Sequence, residues 1–155
     1  MATYASLGER LGALIIDVVG IIILTIAILI VGSIIFTIIV LILAVISEEL
    51  AGLVGALMGM GMMIGFFLLP FSGLLYYIVL EGPKGGGQTF GKKMLGIKVT
   101  TEDGGVPSYG AAAIRNILRI IDGLFMYLVG AALIHTSDKN QRLGDTMAKT
   151  IVVKV

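Results

Sequence analysis

The chain has 155 residues, 57% of them hydrophobic and 14% charged, with a formal net charge of +1 at pH 7. Soluble domains carry about 25% charged residues, so this composition excludes an ordinary soluble fold. The lack of cysteine excludes disulfides and thiolate sites, the single histidine, His135, excludes a histidine-rich metal centre, and no basic stripe with interleaved aromatics points to nucleic acid. Neither a metal nor a cofactor is expected.

The first element is signalled by Ser6 and Glu9, a capping box in which the serine oxygen accepts an early helical N–H while the glutamate reaches back to the cap. Helix one is predicted over about 7–46. Val18 to Ser47 contains no Asp, Glu, Lys or Arg, and neither does Leu50 to Leu80. A hydrocarbon core about 30 Å thick takes about 20 helical residues, so each run is long enough to span. The first run is too long for the apolar region of a cleavable signal, so helix one is expected to remain as an anchor.

Ser47-Glu48-Glu49 separates the two runs, which predicts an antiparallel hairpin with Ser47 capping helix two, over about 48–80. Helix two carries two Gly-x-x-x-Gly spacings, Gly55 to Gly59 and Gly61 to Gly65, which let another helix approach closely: helix one, or a second copy in a homo-oligomer. Pro70 is expected to kink it.

From 81 to 110 glycine, lysine and threonine take over, and the stretch is read as a flexible basic loop at the phospholipid surface. Gly86 to Lys92 has the gap of a nucleotide loop, but Lys93 stands where serine or threonine must hold magnesium, so that reading is rejected. Leu95 to Thr101 alternates as a strand, closed by the turn Asp103-Gly104-Gly105, and the β-rich end from Thr150 to Val155 is expected to pair with it in a small cytoplasmic sheet.

A third segment, 111–136, is apolar but contains Arg115, Asn116, Arg119 and Asp122, which leaves too little uncharged length to cross alone. It is read as membrane-embedded or re-entrant, with its arginines snorkelling toward the headgroups if it spans. Lysines and arginines crowd the middle loop and the tail, 137–155, and are absent from the Ser47-Glu48-Glu49 turn. The positive-inside rule therefore places the turn outside, and the N-terminus and the 81–110 loop in the cytoplasm. The fold class expected is an all-α integral membrane protein of one domain, with a two-stranded β element.

Arg10 and Asp17 lie two turns apart on one face of helix one, roughly 10 Å along the axis. Asp17 at that depth requires pairing, protonation or hydration. Arg115 to Asp122 repeats the spacing, and Arg142 with Asp145 forms a third pair. These charges on one side of an apolar protein are expected to form a mutual network.

Together, Arg10, Asp17, the loop Gly87-Gln88-Thr89-Phe90-Gly91-Lys92-Lys93-Met94-Leu95-Gly96, the Arg115-Asn116-x-x-Arg119 segment and the closing Gln141-Arg142-Leu143-Gly144-Asp145 resemble the RDD family of small membrane proteins. By position, the resemblance puts the family's arginine on Arg10 and its two aspartates on Asp17 and Asp145. Lys149 departs from it, standing where glycine usually precedes the threonine. The family implies transport of a small ligand, with monovalent cation/proton antiport attributed to some members. The expectation is an oligomeric transporter in which Asp17 is alternately protonated and cation-bound while Arg10 or Arg119 tunes it. The alternative is a structural or accessory membrane module whose arginine-aspartate pairs pin helix ends. No nucleophile with a base, metal site or cofactor motif supports an enzyme.

Overall fold

The structure, a computed structural model, describes residues 3–124, 133–134 and 137–155, without the side chains of Pro70 and residues 121–124. It is mostly helical. Helix α1 spans Leu7–Ile46 and α2 spans Glu48–Glu81. A 3-10 turn at Pro83–Gly85, the short helix α3 (Phe90–Met94) and strand β1 (Ile97–Thr101) follow. Helix α4 is Tyr109–Leu124, α5 is Leu143–Met147 and strand β2 is Thr150–Lys154.

Contacts divide the chain into two units, one formed by Met1–Val18 with Gly73–Val155 and the other by Val19–Ser72. The second unit is two apolar helical stretches. Val45 is 89% exposed, and Phe66, Phe67 and most isoleucines of α1 also face outward. Water would penalise that surface in proportion to its area. Two helices, α1 and the Glu48–Leu69 part of α2, are long and apolar enough to cross a membrane, where the same side chains meet hydrocarbon instead.

Polar side chains along these helices satisfy themselves locally, as a lipid surround requires. Ser33 Oγ donates to Ile30 O at 2.8 Å, Thr37 Oγ1 to Ser33 O at 2.9 Å and Ser72 Oγ to Leu69 O at 2.6 Å. Both predicted caps form: Glu9 Oε2 accepts from the Ser6 amide at 2.8 Å, and Ser47 Oγ accepts from the Leu50 amide at 3.3 Å. A Cβ added at Gly55, Gly59, Gly61 or Gly65 would meet nothing within 4 Å. Among the described residues, no helix approaches closely at those glycines.

The first unit is built on β1 and β2, antiparallel with Val99 opposite Val152, which is the pairing expected from the two β-rich stretches. The chain start lies beside them: the Ala5 amide donates to Val152 O, and the Lys154 amide to Thr3 O, both at 2.9 Å. Ala5, Ala13, Ile97, Val99 and Val152 form the core. The stretch read as a flexible basic loop is ordered here. Its 3-10 turn, α3 and β1 are held by backbone bonds such as Val99 N–H to Gly87 O at 2.9 Å, and Lys92 is buried while Lys84 and Lys93 stay exposed.

Of the third segment, α4 is strongly amphipathic, and residues 125–132, 135 and 136 lie outside the described residues, His135 among them. Arg115 is 1% exposed, so it does not snorkel. Its guanidinium is turned inward because two buried carboxylates await it there.

Candidate functional site: three buried carboxylates

Glu81 ends α2, where the helix dipole opposes an anion and no basic residue stands in the last turn to offset it. The compensation comes from other elements. Oε1 accepts from Lys92 Nζ of α3 and from Arg119 Nη2 at 3.1 Å, and Oε2 accepts from Arg115 Nε at 3.2 Å and Asn116 Nδ2 at 3.0 Å. Glu81 is 0% exposed and its partners nearly as deep. An unpaired charge there would cost several kcal/mol on the order of the usual desolvation penalty, and the donors offset it.

Asp145 is also 0% exposed, in the first turn of α5. Its Oδ2 accepts from Arg10 Nη1 at 2.5 Å, and its Oδ1 from Arg115 Nη1 at 2.5 Å and Arg142 Nε at 3.4 Å. Burial alone would raise its pKa, but Arg115, Arg142 and Arg10 hold it well below the ordinary carboxylate range. Arg115 links the two centres, since its Nε serves Glu81 while its Nη1 serves Asp145 and, at 2.7 Å, Thr150 Oγ1 of β2. Gly144 permits the crossing of α5 over α4: a Cβ there would stand 2.9 Å from Arg115 O.

Asp17, 2% exposed, differs from both. Its Oδ1 accepts from the Tyr76 hydroxyl at 2.9 Å and from the Gly91 amide at 2.7 Å, and among the described residues no lysine or arginine forms an ion pair with it. Gly91 makes this possible, because a Cβ there would lie 2.2 Å from Ala13 O and 3.1 Å from Asp17 Cγ. Tyr76 is itself fixed by the Phe90 amide, which donates to its oxygen at 3.2 Å.

The network expected among the charges forms, but with different partners. Arg10 reaches Asp145 rather than Asp17, and Arg119 reaches Glu81, so neither touches the aspartate it was expected to tune. The reason is reach: Arg10 and Asp17 share a helix face two turns apart, whereas α5 brings Asp145 directly to Arg10. Arg115 and Arg142 converge on Asp145, and the side chain of Asp122 lies outside the described residues. Sequence reasoning passed over Glu81 and Tyr76, and named Gly91 and Lys92 only as members of the loop motif, not as partners of Asp17 and Glu81. Glu81 alone carried a usable signal, an acid at the wrong end of an apolar helix.

No group of three or more acids and histidines that could hold a metal occurs among the described residues. The family profile described as the RDD family matches residues 4–149, nearly the whole chain. No curated protein and no solved structure matches it.

Proposed function

Since the chain belongs to the RDD family, we propose that it is a membrane transporter of a small ligand, with a monovalent cation exchanged against a proton as its specific form. One observation carries this reading: Asp17 is buried and, among the described residues, bound by uncharged donors only, while Glu81 and Asp145 are enclosed by cations. A carboxylate locked by several guanidinium groups has little tendency to take up a proton or a cation. One held by a hydroxyl and an amide keeps its charge available for either. Its other oxygen, Oδ2, accepts no hydrogen bond among the described residues.

In this reading α1 and α2 cross the cell membrane as an antiparallel hairpin with the Ser47-Glu48-Glu49 turn outside. The third segment returns to the cytoplasmic side. Two long helices enclose no pathway, so copies associate, and the open faces at Gly55, Gly59, Gly61 and Gly65 admit close helix approach. The network of Arg10, Arg115, Arg119, Arg142 and Lys92 on Glu81 and Asp145 is then the frame that sets the helix ends around Asp17. That same network favours the second reading, an accessory membrane module, because it occupies most of the charges in structural pairing.

Proton movement in proteoliposomes under an imposed pH gradient separates the two. Addition of sodium, lithium or potassium is expected to collapse the gradient with the wild-type chain and not with Asp17→Asn. Folded wild-type protein that moves no protons with any of these cations overturns the transport reading.

A further inference from the structure

Helix α4 carries its polarity the wrong way round for a helix in water. Ala112, Arg115, Asn116 and Arg119, spaced three and four apart, form its inward face. Ile114, Ile117 and Ile120 lie on the opposite face and are 44%, 51% and 57% exposed. An amphipathic helix ordinarily settles with its apolar side on the core and its charges in water. That roll is closed to α4. Arg115 is bonded to Glu81 and Asp145, and Asn116 and Arg119 to Glu81. Turning the isoleucines inward would swing these donors away and strip two buried acids of the compensation they need. The outward face therefore calls for surroundings in which exposed isoleucine carries no penalty.

Two observations identify those surroundings. The first is where α4 lies. It starts just past the end of α2, where the Tyr109 ring packs so close that a Cβ added at Gly82 would stand 2.7 Å from its Cδ1. Further along, the Arg119 guanidinium lies 4.0 Å from the centroid of the Tyr77 ring. Helix α4 thus runs back beside the last turns of α2. The charge-free run of α2 continues into those turns as far as Leu80, and Leu75 within them is 59% exposed, so their outward side is apolar as well. Tyrosines gather at the headgroup level of membranes, and Tyr76, Tyr77 and Tyr109 mark this junction. The second observation is what the face lacks. A surface that docks a protein has a polar rim around its apolar centre. Across residues 110–118, every exposed or half-buried residue is glycine, alanine, isoleucine or leucine.

We propose that α4 is a lipid-docking helix, lying in the membrane interface beside the end of α2 with Ile114, Ile117 and Ile120 among the acyl chains. Helices of this kind sink their apolar face about 5–10 Å into the boundary between headgroups and acyl chains, and ordinarily show a basic face to the headgroups. Here the basic face is spent on the protein instead. Arg115 and Arg119 hold Glu81 and Asp145, which fixes the roll of the helix, and the fixed roll commits the isoleucines to lipid. The same ion pairs that close the buried network therefore set which side of α4 meets the membrane. This holds whether or not the chain moves an ion.

The test uses the full chain in phospholipid vesicles with a nitroxide on a single introduced cysteine, since the chain has none of its own. Ile114→Cys, Ile117→Cys and Ile120→Cys read α4, and Asp103→Cys, in the exposed turn after β1, is the reference in water. Molecular oxygen concentrates among acyl chains, whereas a neutral nickel chelate stays in water. All three isoleucine positions are expected to gain oxygen collisions and lose nickel collisions relative to Asp103→Cys. Nickel collisions as frequent as at Asp103→Cys would put the face in water, and loss of both kinds would put it under a second copy or another protein; either result overturns the proposal. A second measurement needs no substitution. Wild-type chain irradiated in vesicles that contain a phospholipid with a diazirine on its acyl chain is expected to carry adducts within residues 114–120 and none on β1. Absence of adducts on α4 likewise overturns the proposal. Asp17→Asn, expected to abolish flux, is expected to leave both readings unchanged, so failure here and failure of the transport reading are told apart.

Discussion

Lys92 is buried beside an acid that has two other cations of its own, Arg115 and Arg119. Glu81 therefore stays compensated whether or not Lys92 is protonated, and burial sets the lysine's balance. Its folded pKa of about 7 lies below its ordinary 10.5. Between those values the unfolded chain binds more protons than the folded one, so stability rises with pH across that window and the penalty is fully present below about 7. Thermal unfolding of the full chain in phosphate-free buffer is expected to show a midpoint that climbs from neutral pH upward, and Lys92→Met is expected to flatten the climb. A wild-type midpoint that does not move with pH in this range contradicts the assignment. Asp17, Glu81 and Asp145 make the same point at residue scale. All three are buried acids, and their donor sets differ: cations enclose Glu81 and Asp145, whereas among the described residues a hydroxyl and a backbone amide hold Asp17.

The short turn between α5 and β2 shows how an element can be completed against a local preference. Lys149 has φ 51°, in the left-handed region where a side chain costs about 1–2 kcal/mol and glycine costs little. Among the described residues, the other left-handed positions are Gly86, Gly87, Gly96, Gly104 and Asn140, a residue type that tolerates this region better than lysine. The turn is held regardless, because the Lys149 amide donates to Thr146 O at 3.2 Å and its carbonyl accepts from the Glu102 amide at 3.2 Å. Lys149→Gly is therefore expected to stabilise the chain by about 1 kcal/mol, read as a higher unfolding midpoint. A lower midpoint would show that the lysine contributes more than its backbone costs. Glycine matters in another way at α3 and α5, where Gly91 and Gly144 let backbones come close enough for Asp17 and Arg115 to find their partners.

At the scale of the whole molecule, two helices are of lipid-spanning length, and the paired charges belong to the unit of Met1–Val18 with Gly73–Val155. The chain has no cysteine, so single cysteines report sidedness without background. Ser47→Cys is expected to react with a membrane-impermeant maleimide from outside intact cells, and Lys93→Cys only after permeabilisation. Labelling of both from outside would rule out the orientation drawn from the basic residues. The long helices, both serine caps and the pairing of the two β-rich stretches were legible from residues 6–80, 95–101 and 150–155, because hydropathy, capping and strand alternation act over a few neighbours. The existence of a charge network was legible too, since so many arginines and aspartates in an apolar chain need one another. Which charges meet was not. Arg10 has Asp17 on its own helix face and yet binds Asp145, 135 residues away, and Arg115 is shared between Glu81 and Asp145. The donors on Asp17 are a tyrosine hydroxyl and a backbone amide, which no charge pattern announces. The sequence by itself determined a membrane protein with a capped pair of apolar helices and a concentration of charge in the residues outside them. Only the tertiary structure decided that two acids are enclosed by cations while, among the described residues, Asp17 meets a hydroxyl and an amide, because ion pairing in a buried site depends on which helix ends converge there, and that distance is not written along the chain.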